Sequence, residues 1–137
     1  MQKVVGLPNI ILTVTDIRRC KKFYKELLID YLGGEIKTDE KDFFYFSLNK
    51  AGFSIGISQA ATQFQAEKFN RHRVGLHHFA LELENNQAID DIFKILEKIG
   101  AVILDEPKFY PEYSKNYYAV YFEDPSGLKM EFVSFKK

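Results

Sequence analysis

The sequence has no tryptophan, a single cysteine and no excess of either charge. The lone Cys20 excludes an intramolecular disulfide and suits a reducing compartment, so the chain is expected to be cytoplasmic. Lys and Arg together number 19, and so do Asp and Glu. That balance lacks the basic excess with which proteins hold nucleic acid or an anionic membrane surface, and neither partner is expected. No apolar run reaches the roughly 20 residues of a membrane span. The start, Met1-Gln2-Lys3-Val4-Val5-Gly6-Leu7-Pro8, is too short and too broken for a signal peptide. At 137 residues the chain can form one domain, or two small modules sharing a core. What it has in quantity is aromatic: 13 Phe and 8 Tyr, enough to fill a core and wall a cavity.

One structural idea is written twice. A strand from Asn9-Ile10-Ile11-Leu12-Thr13-Val14 runs into Asp16 as N-cap, and a helix follows with Ile17, Cys20, Phe23, Tyr24, Leu27 and Leu28 on its apolar stripe. A second strand from His78-Phe79-Ala80-Leu81-Glu82-Leu83 runs into Asn85 or Asn86 as cap. Its helix buries Ile89, Ile92, Phe93, Leu96 and Ile99 and stops at Gly100. After the first helix, Glu35–Thr38 reads as a short strand, Phe43–Leu48 as another, Asn49-Lys50-Ala51-Gly52 as a turn and Phe53–Ser58 as a closing strand. After the second, Ala101–Leu104 is a strand, residues 105–116 a loop bearing Pro and Tyr, Tyr117–Glu123 a strand, Asp124-Pro125-Ser126-Gly127 a turn and Leu128–Phe135 the last strand. The fold class is therefore α+β, with two βαβββ modules forming curved sheets around a cleft. The modules span 8–58 and 77–135, joined by a connector at 59–76, within one domain of 1–137.

The halves differ at matched positions. His78 and Glu131 in the second correspond to Asn9 and Gly56 in the first. Strand alternation puts His78 and Glu131 on the face away from the helix, where a curled sheet would turn them into the cleft. An imidazole and a carboxylate on neighbouring strands suit a divalent metal such as Zn, Ni, Fe or Mn. Glu82 shares that face as a candidate third ligand or base, against the plainer reading of a salt-bridged strand carboxylate. His77 is sent to the opposite face by alternation, and His72 is read as solvated. Tyr110, Tyr113 and Tyr117 are candidates to line or lid a ligand cavity. Ser54, Gly56 and Ser58 keep the first module's side small and mildly polar, with room for a ligand.

The double βαβββ plan resembles the vicinal oxygen chelate superfamily, which includes glyoxalase I, bleomycin-resistance proteins and extradiol dioxygenases. The match is carried by Ile11–Asp16 with Phe23-Tyr24, by Gly75-Leu76-His77-His78-Phe79-Ala80-Leu81, and by Tyr117 through Glu131 with its Glu123-Asp124-Pro125-Ser126-Gly127 core. The resemblance implies a metal between the modules, with ligands from the first and last strands of each. His78 and Glu131 fill two of those positions, Asn9 offers an amide oxygen at a third and Gly56 leaves the fourth empty. It also implies a homodimer. Two function classes follow. One is a metal-dependent lyase or dioxygenase acting on a small molecule with vicinal oxygens, with Glu131 as ligand and proton acceptor. The other is a metal-free protein that sequesters a small molecule, as bleomycin-resistance proteins do.

Overall fold

The computed structural model describes residues 1–48 and 51–137, so Asn49 and Lys50 of the expected turn lie outside the described residues. The elements run β1 (Asn9–Val14), α1 (Ile17–Tyr24), a π-helical continuation (Lys25–Tyr31), β2 (Glu35–Asp39), β3 (Phe43–Leu48) and β4 (Phe53–Gln59). After a 3-10 turn at Thr62–Phe64 come β5 (Phe79–Glu82), α2 (Asn86–Lys98), β6 (Val102–Phe109), β7 (Tyr118–Glu123) and β8 (Lys129–Ser134). They form two compact units, Met1–Glu67 and Lys68–Lys137. Each holds one four-stranded mixed sheet, ordered β1-β4-β3-β2 and β5-β8-β7-β6. No helix among the described residues is long and apolar enough to cross a membrane.

In unit 1, Asp16 accepts hydrogen bonds from the backbone N–H of Arg18 and Arg19 at 3.0 and 3.2 Å, satisfying two orphan donors of α1. The helix lays Ile17, Cys20, Phe23 and Tyr24 over Leu12, Val14, Phe44, Phe46, Ile55 and Ile57, all buried. Cys20 is fully enclosed in this core. The apolar stripe continues through Leu27 and Leu28 in the π-helical segment, which ends before Gly33 at φ 75°.

Unit 2 repeats the arrangement. Asn85 accepts from the Ala88 N–H at 3.0 Å, and α2 buries Ile89, Ile92 and Leu96 on Val120, Phe122, Met130 and Phe132. The Asp124 side chain accepts from the N–H groups of Ser126 and Leu128, and Gly127 closes the turn at φ 83°. Residues 68–71 dock on this end of the sheet: Phe69 N–H donates to Ser126 O at 3.0 Å, and Lys68 and Arg71 reach Glu123 at 3.5 and 3.7 Å.

The register shows how closely the plan is repeated. In unit 1, Gly56 lies between Ile11 of β1 and Tyr45 of β3. In unit 2, Glu131 lies between Ala80 of β5 and Tyr121 of β7. Asn9 precedes Ile11 by two residues and His78 precedes Ala80 by two. Even the outer strands slip at matching places, between Ile36 and Thr38 and between Ile103 and Asp105.

Two expectations need correction. The strand expected at Ala101–Leu104 continues to Phe109, through Pro107, leaving a shorter loop at 110–117. β6 is the outermost strand of its sheet and its register shifts twice, so the missing proline N–H costs no ladder bond. The first strand of unit 2 begins at Phe79 rather than His78.

Candidate functional site

The chemistry of unit 2 gathers at Glu131. Its position on β8 faces away from α2, yet only 1% of its side chain is exposed. A carboxylate so enclosed needs partners for both oxygens. Oε1 accepts a short hydrogen bond from the Tyr117 hydroxyl. Oε2 lies 3.3 Å from His78 Nε2, whose side chain is 32% exposed. The His78 ring meets Tyr121 edge-on at 6.0 Å. The pairing of β5 and β8 explains the meeting: Ala80 is opposite Glu131, and a small residue there leaves space for the longer side chains around it.

Tyrosines form the surround. Tyr110, Ala119, Tyr121 and Val133 make a buried cluster with Leu104 and Tyr117 packed against it. The Tyr110 and Tyr113 rings stack at 5.6 Å, and Tyr110 meets Tyr117 and Tyr121 edge-on at 6.2 and 5.3 Å. Tyr113 is 63% exposed and forms the rim. Desolvation first, then the hydrogen bond and charge of Glu131, push Tyr117 up to about 12. Desolvation and the Glu131 charge push Tyr121 further in the same direction, and desolvation with the Asp105 charge does so for Tyr110. These phenols therefore stay protonated at neutral pH and act as hydrogen-bond donors. The Tyr110 hydroxyl, on a residue 6% exposed, has no partner at full hydrogen-bond geometry among the described residues, but Asp105 is near enough to act on it through charge and a side-chain hydrogen-bonding interaction.

His77 does not take the opposite face. Because β5 starts at Phe79, strand alternation does not govern residues 77–78, and the two imidazoles meet with Nδ1 atoms 2.6 Å apart. His72 is exposed, as expected, with its ring 6.3 Å from that of His77. Slight desolvation and then the charges of His78, Lys129, Arg71 and His72 hold the His77 pKa below its ordinary value. Glu82 pairs with Val133, one step along the strand face from Glu131, and is exposed. It does not join the pair: among the described residues no group of three His, Cys, Asp or Glu side chains is placed to hold a metal.

The remaining candidates belong to unit 1. Asn9 is opposite Ser54 across the β1–β4 pair, Asn9 exposed and Ser54 half-buried. Gly56 is buried, and the room expected above it is taken. A Cβ there would come within 2.6 Å of Ile11 Cδ1 and 3.1 Å of Tyr45 Cδ2. The small residues of β4 give no sign of this, because a strand's own sequence does not show that Ile11 of β1 and Tyr45 of β3 reach over it.

With metal–donor bonds of about 2.1 Å, two ligands sit about 3.0 Å apart at a right angle and about 3.4 Å apart at the tetrahedral angle. The His78–Glu131 separation of 3.3 Å falls in that interval. The pair fits two corners of an ion's shell, with the others left to water or a ligand.

Comparison with known proteins gives a consistent picture. Residues 6–132 match the model of the Glyoxalase/Bleomycin resistance protein/Dioxygenase superfamily. The uncharacterized protein YqjT of Bacillus subtilis (strain 168) is 30% identical over 126 residues, 92% of this chain and 96% of that one. A candidate glyoxalase from Bacillus halodurans superposes with a TM-score of 0.79 at 25% identity, covering 95% of this chain and 96% of that one. A mutant of the fosfomycin resistance protein FosX from Listeria monocytogenes, complexed with Mn(II) and 1S,2S-dihydroxypropylphosphonic acid, superposes with a TM-score of 0.68 at 17% identity. It covers 96% of this chain and 90% of that one, a likeness of fold alone.

Proposed function

The chain belongs to the glyoxalase/bleomycin resistance protein/dioxygenase superfamily, and from that premise we propose that unit 2 binds a small molecule with adjacent oxygens, assisted by a divalent cation at His78 and Glu131. The observation that carries this reading is the His78 imidazole nitrogen held 3.3 Å from a carboxylate oxygen of the nearly inaccessible Glu131. An imidazole and a carboxylate suit Zn, Ni, Fe or Mn, and Mn(II) accompanies the FosX relative. When bound, such an ion supplies Lewis-acid polarisation of a substrate oxygen.

The protein's own groups have separate tasks. Tyr117 fixes the rotamer of Glu131 by its bond to Oε1, leaving Oε2 as the atom that faces His78. Oε2 and His78 Nε2 would be the two atoms that hold the ion, and where no ion engages it the Glu131 carboxylate is the group that could accept a proton from a ligand. Tyr110 brings a buried hydroxyl, with Asp105 nearby, that can donate to a ligand oxygen. Tyr113 shields the rim. Proton abstraction beside an oxygen is the step shared by lyase and isomerase chemistry, and oxygen insertion would need a redox-active ion.

A second reading, metal-free sequestration of a small polar aromatic molecule, is favoured by one feature: both Glu131 oxygens already have protein partners. Calorimetric titration of Zn(II), Ni(II), Mn(II) and Fe(II) separates the two. The metal reading expects weak binding, readily reversed by chelator, because two protein donors make a poor shell, and expects His78→Ala to abolish it. Equal affinity in wild type and His78→Ala would remove His78 from the site. No binding by wild type would leave sequestration.

A further inference from the structure

The face of unit 2 that carries Glu131 changes character along its strands. On β7 and β8 the residues turned away from α2 pair as Ala119 with Val133, Tyr121 with Glu131, and Glu123 with Lys129. The first pair lies in the tyrosine cluster, the second holds the site described above, and the third is charged. Two residues of strand advance about 6.6 Å, so the charged end lies about that far from Glu131. It is reinforced from outside the sheet, where Lys68 and Arg71 reach Glu123 at 3.5 and 3.7 Å. The Lys129 ammonium lies over the Tyr121 ring at 4.6 Å, with no carboxylate at ion-pair distance among the described residues. Three cations thus stand about one carboxylate, in a chain whose charges balance overall.

This is a built arrangement and not a scatter of surface charge. Phe69 N–H donates to Ser126 O at 3.0 Å, and the Lys68 stem covers Gly127, where an added Cβ would meet its Cε at 2.6 Å. Asn70 accepts the His72 N–H on its side chain at 2.9 Å and the Arg73 N–H on its carbonyl at 3.1 Å. The turn so closed keeps Arg71, 31% exposed, beside the sheet. The exposed His72 and His77 rings lie 6.3 Å apart, and the charges of Lys129, Arg71 and His72 all reach His77. Glu123 cancels one of the three positive charges. Holding the others together costs stability through self-repulsion, and a patch of one sign concentrates anions near it.

We propose that this end of the face binds an oxyanion group of the ligand, a carboxylate or a phosphoryl group, with Lys129 and Arg71 as its charge partners and the His72 and His77 rings beside it. The inference rests on the small-molecule reading of unit 2 for the body of the ligand and needs no divalent cation. It gives that ligand a charged group about 6.6 Å from its contact with Glu131.

The test uses the full chain in buffer freed of metals by a chelating resin. Phenyl phosphate and benzoate are the probes, with neutral benzyl alcohol as reference, so that only the group on the ring changes. Calorimetry should show wild type binding at least one of the anions about tenfold or more tighter than the alcohol, and the tighter anion names the oxyanion. The Arg71 side-chain N–H signals should shift in 15N–1H correlation. Lys129→Gln and Arg71→Gln should each lose about tenfold, and Lys129→Arg should keep most of the affinity. Lys94→Met, on α2 where Lys94 pairs with Asp91 at 2.9 Å, should bind as wild type does. Neither anion binding better than the alcohol overturns the proposal. So does full affinity in both Lys129→Gln and Arg71→Gln, or an equal loss in Lys94→Met. With no metal in the cell, failure of the cation reading leaves these outcomes standing, and their failure leaves the metal titration standing.

Discussion

The two units share strand order, register and even the slip in their outer strands, and differ in what stands at one crossing. Unit 1 places a large residue, Ile11, opposite a small one, Gly56. Unit 2 places a small residue, Ala80, opposite a large one, Glu131. The volumes are exchanged across the same parallel pair. Repetition thus preserves the backbone while the space above the sheet is awarded to a different strand in each copy. In unit 1 the position over Gly56 is taken by the hydrocarbon of Ile11 and the ring of Tyr45. In unit 2 the matching space holds a carboxylate, and the residues just ahead of β7 and β5 supply the tyrosine and histidine that such a group requires.

The sharpest way to break this comparison is to force the chemistry of unit 2 onto unit 1. Gly56→Glu would drive Cβ to within 2.6 Å of Ile11 and place a carboxylate on a crossing with no histidine in the register of His78. Overpacking and an unpaired charge should together lower the unfolding free energy by at least about 3 kcal/mol. The double variant Ile11→Ala/Gly56→Glu, which copies the volumes of Ala80 and Glu131, should recover more than about 1 kcal/mol of that loss. Urea titration measures both. A Gly56→Glu protein as stable as wild type would show that the exchanged volumes do not decide which strand owns the space.

The converse change is smaller. Glu131→Gln keeps the volume but removes the charge that Tyr117 and His78 address, costing about 1–2 kcal/mol in stability. Binding of divalent cations should disappear, since an amide oxygen is a weak ligand for Zn or Fe(II). Retained affinity in Glu131→Gln would move the site away from β8.

Much of this was legible in the chain, for reasons that name themselves. The period of two along Ile10, Leu12 and Val14, and along Met130 and Phe132, gives each strand's core face, because burial allows one parity only. Asp16 and Asn85 mark helix starts because a short side-chain oxygen can reach the free N–H groups there. The pair His78 and Glu131 emerged from aligning the halves. What escaped depends on contacts that no local pattern carries. The π-helical run at Lys25–Tyr31 keeps the same apolar stripe as an ordinary helix, so its spacing gives no warning. Strand β6 passes Pro107 because it is outermost, a fact of sheet order rather than of sequence. His77 was assigned by strand alternation at a place where the strand has not begun.

The smallest expected effect concerns how each helix is tied to its sheet. Unit 1 uses Lys21 and Asp39 at 2.7 Å, a pair with side chains 22% and 57% exposed, and such surface pairs contribute little. Unit 2 uses the Tyr118 hydroxyl, which donates to Asp90 Oδ1 at 2.7 Å. Desolvation, then the bond to Asp90 and its charge, raise Tyr118 from 10.0 to about 12. A folded-state pKa above the unfolded value means that the stabilisation is complete below the unfolded pKa and is lost as pH rises through the folded one. Tyr118→Phe should therefore cost about 1 kcal/mol at neutral pH, and the gap between variant and wild type should narrow from about pH 10 to about pH 12. Lys21→Met, the corresponding cut in unit 1, should cost under about 1 kcal/mol at neutral pH. Urea unfolding of both variants across that range reads the difference. A Tyr118→Phe gap that stays constant to the highest pH would mean that the phenol does not titrate with folding, and that the helix of unit 2 is held by its apolar stripe alone.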